Sequence, residues 1–510
     1  MYRNYSKRHK DGLRHNNGGG MSYVVDKWTR LERFLIIGSA STYYANSSKL
    51  TEDNADVVLE CARENPKRTL KLIGDISDSG RAPSNDPALF ALALVSTTGA
   101  HEDFVSTFLK TVRTGSHLLT IANFINDMRG WGRMIRRAFA AWYNTKDAVD
   151  YQIVKYGQRG GMSHRDVLRL AHVKPASVWH DRLFGWTVGK ENPNTKLTVG
   201  YELLKDTNDA RRAIAIIEEY GLPRSIVPGE LWKFSEAWEA LMPNMGLWEI
   251  VRNLGTITRS GYFDSRDNVR SVAKMLTDRT SVIRSRIHPI TVLSALVTYS
   301  NGEGIRGSNS WDPIGHIISA LDEMFYLAFD NVEPTGKRIC IALDVSSSMT
   351  FDNAWGGLTP REISAAMAMI TMRIEDDWDI IAFSKDIVPL KLHDRMSLGE
   401  IIAEIRSLNF GATACDMPMV WAMEKGLLYD AFVIYTDNET NVNKYVPADA
   451  LRMYREQSGV HNAKLLVAAT TATEFSIADP NDPGMIDIVG FDANVPGLIS
   501  NFVGERNYVH

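Results

Sequence analysis

Cysteine is scarce in this sequence: 3 in 510 residues, Cys61, Cys340 and Cys415, with no CxxC pair. That excludes a zinc finger and argues against a disulfide-stapled scaffold; a reducing, cytoplasmic setting is the expectation. No apolar run reaches the roughly 18 residues that a spanning helix needs, so no membrane segment is expected. The polar, basic stretch from Met1 to Gly20 lacks the apolar core of a secretory signal. Neither sign of charge dominates, with 57 Lys and Arg against 61 Asp and Glu. Apolar content of 44% and charged content of 23% are ordinary for a soluble globular protein. A chain of 510 residues is too long for one core, which predicts two or three domains.

The near-neutral total hides an asymmetry. From Arg338 onward the chain holds 13 Lys and Arg against 24 Asp and Glu, whereas the residues before it hold 44 against 37. Most of the basic excess falls in His101–His180, with 12 against 6 and five histidines. A basic block inside one domain is an electrostatic footprint for a polyanion, although charge alone fits a solvated surface equally well.

Residues 1–20, rich in Asn, Gly, Arg and Lys, read as a disordered basic tail. Residues 21–335 read as one all-helical unit. Apolar residues recur at three- and four-residue steps in Ala55–Arg63, Pro87–Val95, Phe104–Arg113, His117–Arg129, Arg133–Tyr143, Ser163–Ala171, Thr207–Tyr220, Pro228–Leu241, Gly246–Leu254 and Pro289–Tyr299. Helices in series without strands predict a solenoid-like stack, a curved surface suited to long ligands. The pattern changes after the turn-forming Glu333-Pro334-Thr335-Gly336. In 336–510, apolar strands at Arg338–Asp344, Trp378–Ser384, Asp430–Thr436, Ala463–Ala469 and Met485–Val489 alternate with amphipathic helices. That alternation predicts an α/β domain with a doubly wound, mostly parallel sheet.

Asp344-Val345-Ser346-Ser347-Ser348 follows the first of these strands as a D-x-S-x-S motif. In a parallel sheet, ligands bind beyond the carboxyl ends of the strands, so Asp344, Ser346 and Ser348 project into that crevice. Thr413, ahead of a helix, and Asp437, at the end of another strand, are placed to join them. Carboxylate and hydroxyl oxygens are hard ligands, the chemistry of a divalent ion such as Mg²⁺. The pattern resembles the metal-ion-dependent adhesion site of von Willebrand A domains. A serine-rich turn whose Asp caps the next helix is the plainer alternative. A phosphatase would need an acid/base Asp where Ser346 stands.

In the basic block, Ser163 and Asp166 form a predicted capping box for a helix that stops before Lys174-Pro175. Arg165, Arg169 and His172 fall on one predicted helical face; Lys155 with Arg159, and Arg133 with Arg136 and Arg137, make two more. Such spacing suits successive phosphates, and a histidine can stack on a base. Each arginine alone is better explained by an exposed helix face, and His172 alone by a structural role.

The chain resembles the Ro autoantigen (TROVE-module) family from about Thr29 to Phe502. The resemblance rests on Thr29-Arg30-Leu31-Glu32-Arg33-Phe34-Leu35, Trp131-Gly132-Arg133 with Trp142-Tyr143-Asn144, and Ser163-His164-Arg165-Asp166 through Lys174-Pro175. Arg252-Asn253-Leu254-Gly255, Arg286-Ile287-His288-Pro289, Val332 to Arg338, Asp344-Val345-Ser346, Thr436-Asp437-Asn438-Glu439-Thr440, Ile477-Ala478-Asp479-Pro480 and Gly490-Phe491-Asp492 extend it. It implies a ring of HEAT-like helical repeats closed by a von Willebrand A-like domain. It also implies binding of small noncoding Y-like RNAs on a basic outer surface, and of single-stranded 3′ ends of misfolded RNAs through a central hole. Bacterial relatives are thought to present RNA to an exoribonuclease. Lys155, Arg159 and His172 match family RNA-contact positions; Arg133, Arg136 and Arg137 are weaker carry-overs. The family's Gly-Gly-Thr-Asp loop is Gly411-Ala412-Thr413-Ala414 here, with an acid only at Asp416. Segment Lys190–Asp206 is hard to match.

Two functions are therefore expected to compete or coexist: a non-catalytic RNA-binding scaffold, monomeric, and a metal-dependent protein-interaction module tethering a partner. An RNA-processing enzyme would need a carboxylate cluster for two metals, or a nucleophile with its base, and neither is visible.

Overall fold

The computed structural model describes residues 12–504, except 39–46, 83, 100, 305–308, 330–333, 351–357, 389, 409–410, 472 and 492–494, and except the side chains of 47–51. Residues 1–11 of the predicted tail, Val332 and Glu333 at the predicted boundary, and Asp492 lie outside the described residues.

Helices follow one another from Lys27 to Leu327, their ends set by local chemistry. Asp26 accepts a hydrogen bond from Thr29 N at 2.7 Å to start Lys27–Ile37. Asn65 caps Pro66–Ser79, and Gly80 at φ +75° ends it, a conformation that costs glycine nothing. Each helix of the first half packs on the one two places along: Pro66–Ser79 on Phe104–Thr111, Asp86–Thr97 on Gly115–Met128, Phe104–Thr111 on Arg133–Thr145. This is the stacking of helix pairs in a solenoid. Two cores result, one from Leu31 to Phe184 and one beginning at Leu204. Trp142 and Trp238 anchor them, each buried with its Nε1 satisfied by a carbonyl, of Val112 at 2.6 Å and Trp232 at 2.9 Å.

The predicted helix Pro228–Leu241 is broken. A 3₁₀ turn covers Gly229–Lys233, Phe234 is extended at ψ 129°, and an α-helix begins at Ser235. The Trp238 indole takes the Trp232 carbonyl across this break.

Near the N-terminus, Leu13–His15 (β1) and Met21–Val24 (β2) form an antiparallel hairpin. In a second, separate hairpin Gln158–Arg159 (β3) pairs with Met162–Ser163 (β4). The C-terminal strands are Ile339–Asp344 (β5), Trp378–Phe383 (β6), Ile387–Val388 (β7), Ala431–Thr436 (β8), Lys464–Ala469 (β9), Phe475–Ser476 (β10) and Met485–Val489 (β11). The six-stranded sheet has the order β11-β9-β8-β5-β6-β7, parallel except for β7. Alternate residues serve opposite faces: Ile339, Ile341 and Leu343 join the second helical core, while Cys340 and Ala342 join a third core. From β5 the chain first adds β6 on one side and then β8 on the other, so strand order reverses at β5. The three cysteines are buried and free.

The disordered tail expected over residues 1–20 is corrected for 12–20. The Asn-Gly-rich stretch is a hairpin turn, closed by Asn16 N to Gly20 O at 2.9 Å and Gly20 N to Asn16 Oδ1 at 3.0 Å. β2 also pairs with β10, and Tyr23 is buried in the third core, so residues 12–24 sit on the C-terminal domain. The helical body touches that domain at both ends. Helix Lys27–Ile37 packs on β11, helix Pro289–Asn301 packs on Leu398–Ser407, and Leu398 N donates to Asp322 at 2.9 Å. The contacts thus run in a closed circuit through both helical cores and the sheet. Among the described residues no helix is long and apolar enough to cross a membrane.

Candidate metal centre and nucleic-acid interface

β5 and β8 are neighbours in the sheet, so their carboxyl ends deliver Asp344 and Asp437 side by side. This is the point where strand order reverses, the place at which parallel sheets generally bind ligands. Ser346 N donates to Asp344 Oδ1 at 2.9 Å, and Thr436 Oγ1 donates to Oδ2 at 2.7 Å. The hydroxyls of Ser346 and Ser348 lie 3.2 Å apart, and Ser348 bonds Asp437. Thr413 joins through its loop: Ser347 N bonds Gly411 O at 3.0 Å, and Thr440 Oγ1 donates to Thr413 O at 3.2 Å. All five predicted ligands are buried.

The electrostatics follow from that burial. Desolvation raises the Asp344 carboxyl to about 6. Burial and the neighbouring Asp344 charge push Asp437 well above the usual carboxylate range. Two buried acids, each raised by desolvation and Asp437 also by the Asp344 charge, lie beside the Ser346 and Ser348 hydroxyls and form a hard-oxygen set that a divalent cation would neutralise. Among the described residues there is no cluster of three or more His, Cys, Asp and Glu able to hold a metal, so a cation between Asp344 and Asp437 would have to draw on hydroxyl oxygens as well.

The loop departure finds a structural account. Asp416 serves the loop after β8: its Oδ2 accepts from Lys444 N at 2.9 Å and Tyr445 N at 2.8 Å. Sequence reasoning missed Thr436, which holds Asp344, and Glu439, whose buried carboxylate accepts from Asn17 Nδ2 at 2.8 Å and Gly18 N at 3.1 Å. No local signal announces a bond across 422 residues.

The basic block is laid out less simply than the helical wheel suggested. Arg133, Arg136 and Arg137 are exposed on helix Arg133–Thr145. Arg165 and Arg169 are exposed on helix His164–Ala171, which packs on the former and carries the expected Ser163–Asp166 capping box. His172 is exposed but does not continue their face: it is the C-cap, left-handed at φ +49°. Lys155 and Arg159 are not a helical pair. Their helix ends at Lys155, and Gly157, Gly160 and Gly161 turn the chain into the β3–β4 hairpin that carries Arg159.

Lys155 is also not a solvated cation. Its Nζ bonds Glu249 Oε2 at 2.9 Å and Tyr151 OH at 3.2 Å, with only 14% of the side chain exposed. Burial opposes its charge, but the Glu249 bond and charge outweigh it and hold the pKa above that of an ordinary lysine. Arg159 is exposed and donates to Ser116 Oγ at 2.7 Å. Of the five histidines in the block, His164 is buried and desolvation holds it near 3; His117 is held near 3 by burial and by Arg113.

A sequence model of the TROVE domain matches residues 14–188 and 228–298, and one of the Ro60 vWA domain matches 338–503. The "RNA-binding protein RO60" of Deinococcus radiodurans is 37% identical over 503 residues, covering 96% of this chain and 94% of that protein. The "RNA-binding protein RO60" of Caenorhabditis elegans is 32% identical over 582 aligned positions, covering 97% and 90%. The crystal structure of the Deinococcus radiodurans RO (RSR) protein matches with a TM-score of 0.72 at 36% identity, over 94% of this chain and 100% of that one. With its solenoid, its parallel sheet and both domain matches in one chain, this protein belongs to the Ro60 family.

Proposed function

We propose that this chain is a non-catalytic RNA-binding protein, a monomeric ribonucleoprotein scaffold of the cytoplasm. Small structured noncoding RNAs of the Y-like kind bind its basic outer surface, and single-stranded 3′ ends of misfolded RNAs are held for quality control. The observation that carries this is the exposed set Arg133, Arg136, Arg137, Arg159, Arg165, Arg169 and His172, presented by successive packed elements of one domain. Lys155 supports the same face through its pair with Glu249. Two relatives aligned over nearly the whole chain carry RNA binding in their names.

The C-terminal domain has a second role in this reading. Asp344, Ser346, Ser348, Thr413 and Asp437 would hold a divalent ion, Mg²⁺, which supplies a coordination position for a carboxylate of a protein partner such as an exoribonuclease. Burial raises both Asp344 and Asp437, and the Asp344 charge raises Asp437 further, which favours a bound cation. If RNA proves incidental, metal-dependent protein capture is the function that remains.

A gel shift tests the first role. A structured RNA with a single-stranded 3′ tail is titrated with wild type and with Arg159→Ala/Arg165→Ala/His172→Ala, folding being matched by circular dichroism. Wild type should bind, and the triple variant should lose most of that affinity. Equal binding, or none by wild type, would move protein capture to first place.

A further inference from the structure

The TROVE match stops at residue 188 and resumes at 228. The intervening segment is not idle packing. Helix Lys196–Lys205 and the 3₁₀ turn Arg224–Ile226 form one wall of an open cleft of about 490 Å³. The opposite wall is Ser116 with Val154 to Arg159, from the matched part. The cleft is therefore built half from the family's domain and half from residues outside the domain match.

Its lining is the chemistry of a nucleotide site. Arg159 is exposed, donates to Ser116 Oγ at 2.7 Å, and has no carboxylate partner among the described residues. Lys155 and Lys205 are each paired, with Glu249 at 2.9 Å and Glu202 at 2.6 Å, so Arg159 carries the unbalanced charge. Tyr156 and Tyr201 are half-buried on the two walls. Tyr201 is held by Trp186 edge-on at 6.1 Å and by Lys205 Nζ at 5.0 Å from its ring centre. Half-buried rings fixed by neighbours can stack on a base, and a guanidinium across the gap can fork a phosphate. The volume lies in the usual range for small-ligand pockets, roughly 300–1,000 Å³.

We propose that this cleft takes one nucleotide of a single-stranded RNA, its phosphate on Arg159 and its base against Tyr201. Tyr201 and Lys205 then make the second wall, in the stretch that the TROVE model leaves unmatched. The inference rests on the RNA-binding reading and adds a stacking site to it.

The probe is a short fluorescein-labelled oligouridylate, read by anisotropy, with a structured RNA as the parallel titration. Full-length wild type, Tyr201→Phe, Tyr201→Leu and Arg159→Gln are compared at matched circular dichroism. Tyr201→Leu should weaken the oligouridylate about tenfold, as loss of one base stack does, while Tyr201→Phe keeps wild-type affinity. Structured RNA should suffer less from Tyr201→Leu than from Arg159→Gln. Tyr201→Leu binding the oligomer as wild type does, while Arg159→Gln loses it, would overturn the proposal. So would wild type binding structured RNA but not the oligomer, and the RNA-binding reading would then survive. Failure of wild type with both probes would sink that reading as well. Should Tyr201→Leu not fold, quenching of protein fluorescence by the unlabelled oligomer in Tyr201→Trp, taken as the excess over the same titration of wild type with its 12 tryptophans, decides: saturable excess quenching supports stacking at this wall, and its absence overturns it.

Discussion

Arg33 and Asp487 meet at 2.5 Å in a buried ion pair that ties the first helix of the helical body to β11. Arg33 Nη1 also donates to the carbonyls of Thr473 at 2.6 Å and Phe475 at 2.7 Å. The second Asp487 oxygen accepts from Ser476 Oγ at 2.6 Å and Asn438 Nδ2 at 3.2 Å. Asn438, left-handed at φ +65°, directly follows Asp437. The helical body therefore reaches the loop that carries Asp437 through two side chains.

Removing one partner of a buried pair leaves the other charge uncompensated. Arg33→Ala should cost about 3–5 kcal/mol in urea unfolding. A loss under about 1 kcal/mol would show that the pair is not the tie described.

Metal-free and metal-bound stabilities should respond oppositely to Asp344→Asn. A folded carboxyl raised to about 6 means that the charge is disfavoured in the folded state, so at pH 7 the wild-type Asp344 opposes folding. Without metal, Asp344→Asn should melt at the same temperature as wild type or higher. With excess Mg²⁺, wild type should gain about 3 kcal/mol at a hundred times Kd, and the variant nothing. Equal Mg²⁺ shifts in both would contradict the ligand assignment.

Gly20 packs where a Cβ would stand 1.9 Å from the Thr440 carbonyl oxygen, on the same loop as Asp437. Gly20→Ala should lift the β1–β2 hairpin off that loop. Hydrogen exchange of Ser22, Tyr23 and Val24 should speed up while the helical cores keep their protection. Unchanged exchange would mean that the close approach is relieved elsewhere.

Burial disfavours charge on His164, folded pKa about 3, and on His288, about 4. A depressed histidine means that the unfolded chain binds the extra proton, so stability falls as pH drops below about 6.5. At pH 5 His164 should cost about 2 kcal/mol. Asp344 and Asp437 act in the opposite direction, so the readout is the difference between wild type and His164→Asn. The variant should lose less melting temperature from pH 7 to pH 5. Parallel slopes would contradict the buried neutral imidazole.

The elements legible in the sequence were those written by local periodicity and local caps. The five apolar strands, the Ser163–Asp166 box and the meeting of Asp344, Ser346, Ser348 and Asp437 at one sheet end all follow from short-range pattern plus the rule for parallel sheets. What escaped depends on distant partners. Gly18-Gly19-Gly20 looked like disorder because nothing nearby reveals that Glu439 binds it. Lys155 looked like a free cation because Glu249 lies 94 residues away. His172 was placed on a helical face that the chain leaves one residue earlier.

The central claim is that exposed cations of the basic block grip RNA phosphates, and salt dependence tests it most directly. Binding of the tailed RNA is followed by anisotropy across a salt series for wild type and for Arg165→Ala/Arg169→Ala. The account predicts that log K falls linearly with log salt, and that the double variant flattens the slope by about 1.4–1.8, the release of counterions from two phosphates. Identical slopes, or wild-type affinity that does not change with salt, would contradict it.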